Sequence, residues 1–202
     1  MDYNFIRDLL YECIVYNEEE YLEIGMILKS IGQDDYKKLW IEWCIFNSNH
    51  NSNEIEKQWL LLSKNKNDNE IKHLIIITKK YDNNNKYKEI KYKNAMSLID
   101  NCINKGGDEY EVAKFINLYT YDKYKNFTKK DETSLNIKLS EKISKMFIKY
   151  IKFNMRQITD DNSYEIYKYN DILNKCMIAS KIALNLKNHN YKTKIIREIK
   201  LI

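Results

Sequence analysis

Between residues 79 and 93 the sequence KKYDNNNKYKEIKYK sets six lysines among three tyrosines. That mixture suits one chemistry, contact with a polyanion whose bases can stack. Lys79, Lys80, Lys86, Lys88, Lys91 and Lys93 could meet phosphates. Tyr81, Tyr87 and Tyr92 could offer rings, each stacked base contributing about 1–3 kcal/mol. A solvated lysine face with the tyrosines turned inward fits the same spacing. A second basic segment closes the chain, where Lys181, Lys187, Lys192, Lys194, Arg197 and Lys200 stand against Glu198 alone. With Tyr191 as its one aromatic residue, it offers phosphate contacts without base recognition, and Lys192, Lys194 and Arg197 are its candidates.

Other chemistries find less material. A phosphate-cradling loop needs closely spaced glycines followed by Lys and Ser or Thr, so that backbone amides and an ammonium surround the phosphates. Gly25, Gly32, Gly106 and Gly107 do not supply that spacing. A two-metal polymerising centre needs paired carboxylates on a strand. Asp34-Asp35 and Asp160-Asp161 are the available pairs, and both fall at expected helix starts, where capping accounts for them. His50, His73 and His189 lie in separate segments as surface or loop residues, and none has a nucleophile or carboxylate at dyad spacing. Cys13, Cys44, Cys102 and Cys176 are too scattered for a zinc site and are expected as reduced, buried thiols. No catalytic residue, metal or cofactor is expected.

The elements that must position these residues follow from composition and period. There is no proline, and four glycines in 202 residues leave little strand-and-turn punctuation, so a mainly α structure is expected. Asn, Lys and Ile dominate as AT-rich codons would dictate, which dilutes any argument from lysine number. Charge is unevenly distributed. Residues 1–60 hold 5 basic and 12 acidic groups, a net −7, leaving +12 for the remainder. The opening MDYNFIRDLL is amphipathic rather than a leader, and no window approaches the roughly 18 apolar residues of a membrane span, so an intracellular protein with no membrane partner is expected.

Phe5, Ile6, Leu9, Leu10, Cys13 and Ile14 share one helical face. Asn17 with Glu20 forms a capping-box pair ahead of Tyr21, Ile24, Gly25 and Leu28. Asp34 can cap a helix bearing Tyr36, Leu39, Trp40 and Trp43, and Asn53 with Glu56 introduces Ile55, Trp59, Leu60 and Leu62. These make an N-terminal four-helix unit. The run Leu74–Thr78 fits helix or strand by period, and helix is the reading adopted. A helix over 95–103 closes at Gly106-Gly107, and Asp108 with Glu111 opens the next, with Val112, Phe115, Ile116 and Tyr119 inward. Leu135, Leu139, Ile143, Phe147 and Ile151 mark another helix, Ile172, Leu173, Cys176, Met177, Ala183 and Leu184 one more, and 191–202 a basic helical stub. The expected division is 1–92 and 93–202, the second part being a further helical subdomain.

EEEYLEIGMILKS, LWIEW and EIEKQWLLL, with Gly25, Lys29, Ser30, Trp40, Trp43 and Trp59, resemble the second type of primase C-terminal domain found in viral, phage and mobile-element primase-helicases. Tyr21 stands where that family often has Trp, and Cys44 where Ser is usual. The stretch from Leu74 through YDNNNKYKEI resembles the continuation of this domain in large DNA viruses. DEYEVAKFINLY, SLNIKLSEKI and the final IALNLKNHNYKTKIIREIKLI are similar to the region preceding the helicase of poxvirus-type and giant-virus replicative proteins.

The resemblance implies a non-catalytic, DNA-replication-associated connector, lacking both primase and helicase centres. Its implied partners are single-stranded DNA and a viral primase-helicase or other replication protein, and its implied location is a viral replication site in the host cytoplasm. Two other readings stay open: part of a primase-helicase whose ATP-dependent activity resides elsewhere, and a decayed paralogue with a structural or interaction role.

Overall fold

A computed structural model describes residues 3–12, 18–32, 34–47, 52–63, 70–82, 86–120, 129–160 and 166–202. The structure is mainly α, with no strand among these residues. It divides into two compact units, 1–94 and 95–202.

In the first unit, α1 (Tyr3–Tyr11) buries Phe5, Ile6, Leu9 and Leu10. Cys13, Ile14 and Asn17 lie outside the described residues. Helix α2 (Glu18–Ile31) buries Tyr21, Ile24, Ile27 and Leu28 against α3 (Asp34–Asn47) and α5 (Glu70–Lys80). Trp40 and Trp43 of α3 are fully buried, and Trp59 of α4 (Ser52–Leu61) closes over them. The centroid of Tyr21 lies 5.3 Å from Trp43 and 5.7 Å from Trp40, and Trp40 lies 5.5 Å from Trp59. Such offset and tilted pairs add stabilisation beyond the area they remove from water.

Two residues on α2 make this cluster possible. A Cβ on Gly25 would lie 2.8 Å from Trp40 Nε1 and 2.6 Å from Leu62 Cδ1, so the indole occupies the space that any larger residue would need. One turn later, Lys29 Nζ donates to the carbonyls of Trp59 at 2.8 Å, Leu60 at 3.3 Å and Leu62 at 2.8 Å. These are orphan acceptors at the end of α4, where a cation also meets the negative end of the helix dipole. Trp43 Nε1 donates to the Leu10 carbonyl at 2.9 Å and ties α1 to α3.

Several expectations change here. Of the apolar residues that mark α4 in the sequence, Ile55 and Trp59 are buried, while Leu60 is 73% exposed. Ser52 starts α4, so Asn53 sits within the helix rather than ahead of it. The run at 74–78 is helical, burying Ile71, Leu74, Ile75, Ile77 and Thr78 in α5. The helix expected over 95–103 is the second half of a longer one, α6 (Lys86–Asn104), which starts within the lysine-tyrosine stretch.

The second unit is built on Ala95, Leu98, Ile99, Cys102 and Ile103 of α6. That helix stops as expected. Gly106 takes φ 99° and Gly107 φ 63°, and their amides donate to Ile103 at 2.9 Å and Cys102 at 3.0 Å, the paired bonds of a left-handed helix cap. Asp108 Oδ1 accepts from the Glu111 amide at 2.9 Å and opens α7 (Glu109–Thr120).

A long helical stretch follows as α8 (Lys129–Lys138), a π-helical turn (Leu139–Ile143) and α9 (Ser144–Asp160). Leu135, Leu139, Ile143 and Phe147 are all buried although spaced four apart throughout. In a regular α-helix that spacing drifts by about 40° per step; the wider π turn draws the stripe back onto one face. Asp160 ends α9 instead of starting a helix, and Asp161 lies outside the described residues.

Helix α10 (Ile166–Asn185) packs along α9, and α11 (His189–Leu201) along α7. Met177 and Leu184, expected inward, are each 69% exposed, while Ala179, Ile182 and Leu186 are buried in their place. The supposed C-terminal stub is a core helix. It is capped by Asn188, whose side chain accepts from Asn190 and Tyr191, and it buries Ile195, Ile196 and Ile199. Between α6, α9 and α10, Tyr150 donates to Asp100 Oδ1 at 2.5 Å, and Lys175 approaches Asp100 at 3.4 Å and Asp171 at 3.3 Å. Burial, reinforced by the Asp100 carboxylate, pushes the Tyr150 hydroxyl pKa upward.

Gly25→Ala tests the close approach of α2 and α3. Since Trp40 is enclosed on all sides, the added methyl should destabilise by about 1–3 kcal/mol. Urea denaturation followed by circular dichroism reads this as a lowered midpoint, and an unchanged midpoint would show that Trp40 can move aside.

Candidate nucleic-acid interface

The lysine-tyrosine stretch begins at the last turn of α5 and re-enters helix at Lys86. Asp82 makes the connection. Its Oδ1 accepts from the Lys86 amide at 2.7 Å and its Oδ2 from the Tyr87 amide at 3.2 Å, capping α6. Asn83, Asn84 and Asn85 lie outside the described residues.

Most groups here already hold partners. Lys80 donates to Glu20 Oε1 at 2.6 Å, and the Tyr81 hydroxyl makes a short hydrogen bond to Glu20 Oε2. These two donors hold the Glu20 carboxyl below its ordinary range, and Glu20 in turn raises Lys80. Lys79 Nζ sits 4.4 Å from the Tyr87 ring centroid and Lys91 Nζ 5.8 Å from the same ring. A base stacking on Tyr87 would have to displace one of these cation–π contacts. Lys86 approaches Glu89 at 3.7 Å and Lys93 approaches it at 2.9 Å, so hydrogen bonding to Lys93 lowers the Glu89 pKa and raises that of Lys93. Lys88 is exposed.

The structure therefore brings Lys79, Tyr87 and Lys91 together, and separately Lys80, Tyr81 and Glu20. His73, expected on the surface, is half-buried in α5 and meets Glu23 of α2 at 3.1 Å. Acidic α2 and the basic end of α5 thus neutralise part of the charge asymmetry internally.

The C-terminal candidates separate likewise. Lys192 Nζ donates to Ser140 Oγ at 2.9 Å, Lys194 pairs with Glu109 at 3.2 Å, and Lys200 pairs closely with Glu132. Arg197 is exposed. These contacts fasten α11 to α7, to α8 and to the π turn.

Gly25, Trp40, Trp43 and Trp59 form the packed cluster described above. Cys44, Cys102 and Cys176 are buried free thiols, and burial pushes Cys44 and Cys102 up to about 12, so neither supplies a thiolate near neutral pH. Among the described residues no group of three His, Cys, Asp or Glu side chains could hold a metal ion, and no helix is long and apolar enough to cross a membrane. The cations that sequence reading passed over lie on α9, where Lys145, Lys149, Lys152 and Arg156 recur at steps of four, three and four. That spacing was a legible signal.

No family model matches the chain, and no curated protein matches it.

Acid should open the Glu20 clamp. The folded-state pKa of Glu20 lies below its ordinary 4.5, so the clamp contributes fully above that value and fades as pH falls through the folded-state pKa. Thermal melting should find wild type more stable than Glu20→Gln at about pH 6, with the gap closing toward about pH 3. A gap that does not change with pH would show that Glu20 stabilises only by packing.

Proposed function

We propose that this chain is a non-catalytic helical module of DNA replication, related to the connector of a viral primase-helicase. On this reading it works by docking on replication proteins and by holding nucleic acid weakly. The observation that carries the reading is the convergence of Gly25, Lys29, Trp40, Trp43 and Trp59. The residues on which the resemblance rests are mutually dependent parts of one packing unit, since Gly25 makes room for Trp40 and Lys29 caps the helix bearing Trp59. The sequence offers neither a phosphate loop nor paired strand carboxylates, so binding is assigned to it rather than turnover. The phosphate-contacting role belongs to its second unit, where 20 basic residues face 13 acidic ones, against 14 and 16 in the first.

Affinity capture tests the docking half. The full chain, tagged and expressed in its native host system, should recover a replicative primase-helicase or another replication protein above the level of a tagged control. Recovery of none would remove that half of the reading.

A further inference from the structure

Helix α9 carries cations of a different kind from those of the stretch 79–93. Lys145, Lys149, Lys152 and Arg156 are all exposed. At 100° per residue they fall within about 60° of one another, a straight row about 17 Å long. Lys142, in the π turn, leads into the same row. The opposite side of the helix holds buried Met146, Phe147 and Tyr150, which fixes the row outward.

Three lysines of this row, Lys145, Lys149 and Lys152, lack the carboxylate partner that several lysines elsewhere have. Residues 142–159 include no carboxylate at all. Among the described residues, Lys80, Lys86, Lys93, Lys175, Lys194 and Lys200 each have a carboxylate within ion-pair distance, and Lys145, Lys149 and Lys152 have none. Like charges three and four apart on a helix destabilise it, so this row carries a cost that an external polyanion would relieve. Phe153 is 44% exposed beside the row and can offer a ring. Exposed apolar side chains flank the row singly, as Ile148, Phe153 and Met155, and make no continuous face for insertion among lipids.

We infer that the α9 row is a nucleic-acid-binding surface, contacting the phosphate backbone through Lys145, Lys149, Lys152 and Arg156, with Phe153 positioned to stack an unpaired base. The inference rests on the reading of this chain as a replication module. It moves the binding surface away from residues 79–93, where every lysine but Lys88 already meets a carboxylate or a tyrosine ring.

Fluorescence anisotropy with the full chain provides the test, using labelled oligo(dT) and a duplex of equal length at about 20 mM salt, where phosphate contacts are strongest. Wild type should bind. The triple variant K145E/K149E/K152E should weaken binding by at least about ten-fold and lower the slope of log affinity against log salt by about 2, three contacts at roughly 0.7 each for a single strand. A control of equal charge change at exposed lysines elsewhere, K38E/K57E/K168E, should stay within about three-fold of wild type. Circular dichroism checks helicity, and K145Q/K149Q/K152Q replaces the first variant if that one fails to fold. Phe153→Ala should weaken oligo(dT) more than duplex.

Equal losses in the α9 variant and the control would overturn the surface while leaving the replication reading standing. So would full binding by the α9 variant. Absence of wild-type binding to either probe would overturn the surface and the nucleic-acid half of the reading, leaving the docking half to affinity capture. Binding to anionic vesicles without binding to either oligonucleotide would assign the row to a membrane and overturn the inference.

Discussion

The space beside residue 25 governs the first unit. Trp40 lies where a side chain on α2 would otherwise project, and this absence of a Cβ lets α2 and α3 approach closely enough for Tyr21 to touch both indoles of α3. Trp59 can seat on Trp40 only when Trp40 is held there. Lys29 then reaches the three carbonyls at the end of α4 and fixes the helix that delivers Trp59. A contact and a cap on the same helix, one turn apart, therefore restrain three helices. With its apolar side committed in this way, α2 turns Glu20 and Glu23 toward Lys80 and His73 of α5, and the electrostatic arrangement follows from the packing.

Much of this was legible in the sequence because apolar residues repeat at helical spacing where one face is buried. Phe5, Leu9, Trp40, Trp43 and Trp59 declared themselves in that way, and Gly106-Gly107 and Asp108 marked a stop and a start through backbone requirements that few other residues meet. The failures have physical causes. Met177 and Leu184 looked inward because hydrophobicity was read without the angular width of the face, which Ala179 and Ile182 fill. The start of α6 was hidden because Lys and Tyr are compatible with helix but carry no apolar stripe, so only the cap at Asp82 announces it. The final helix looked like a stub because its lysines were counted and the burial of Ile195, Ile196 and Ile199 was not weighed.

Lysine number and lysine function also came apart. Codon usage can spread lysine over a surface, but folding decides which lysines acquire carboxylates. Around Lys80, Lys93 and Lys194 the chain supplies its own counter-charges. For Lys145, Lys149 and Lys152 of α9 it does not, and composition alone does not draw the distinction, because several neutralising partners come from distant parts of the sequence, as with Glu20 and Lys80 or Glu109 and Lys194.

All three tryptophans, Trp40, Trp43 and Trp59, belong to the first unit, while the second holds tyrosine and phenylalanine only. Indole emission excited at its red edge is therefore a private optical channel for residues 1–94, and peptide ellipticity averages over the whole chain. Since α6 contributes residues to both units, comparing the two signals during melting would show whether that shared helix transmits cooperativity or lets the halves melt independently. The chain carries this two-colour thermometer natively, with no dye and no engineered reporter.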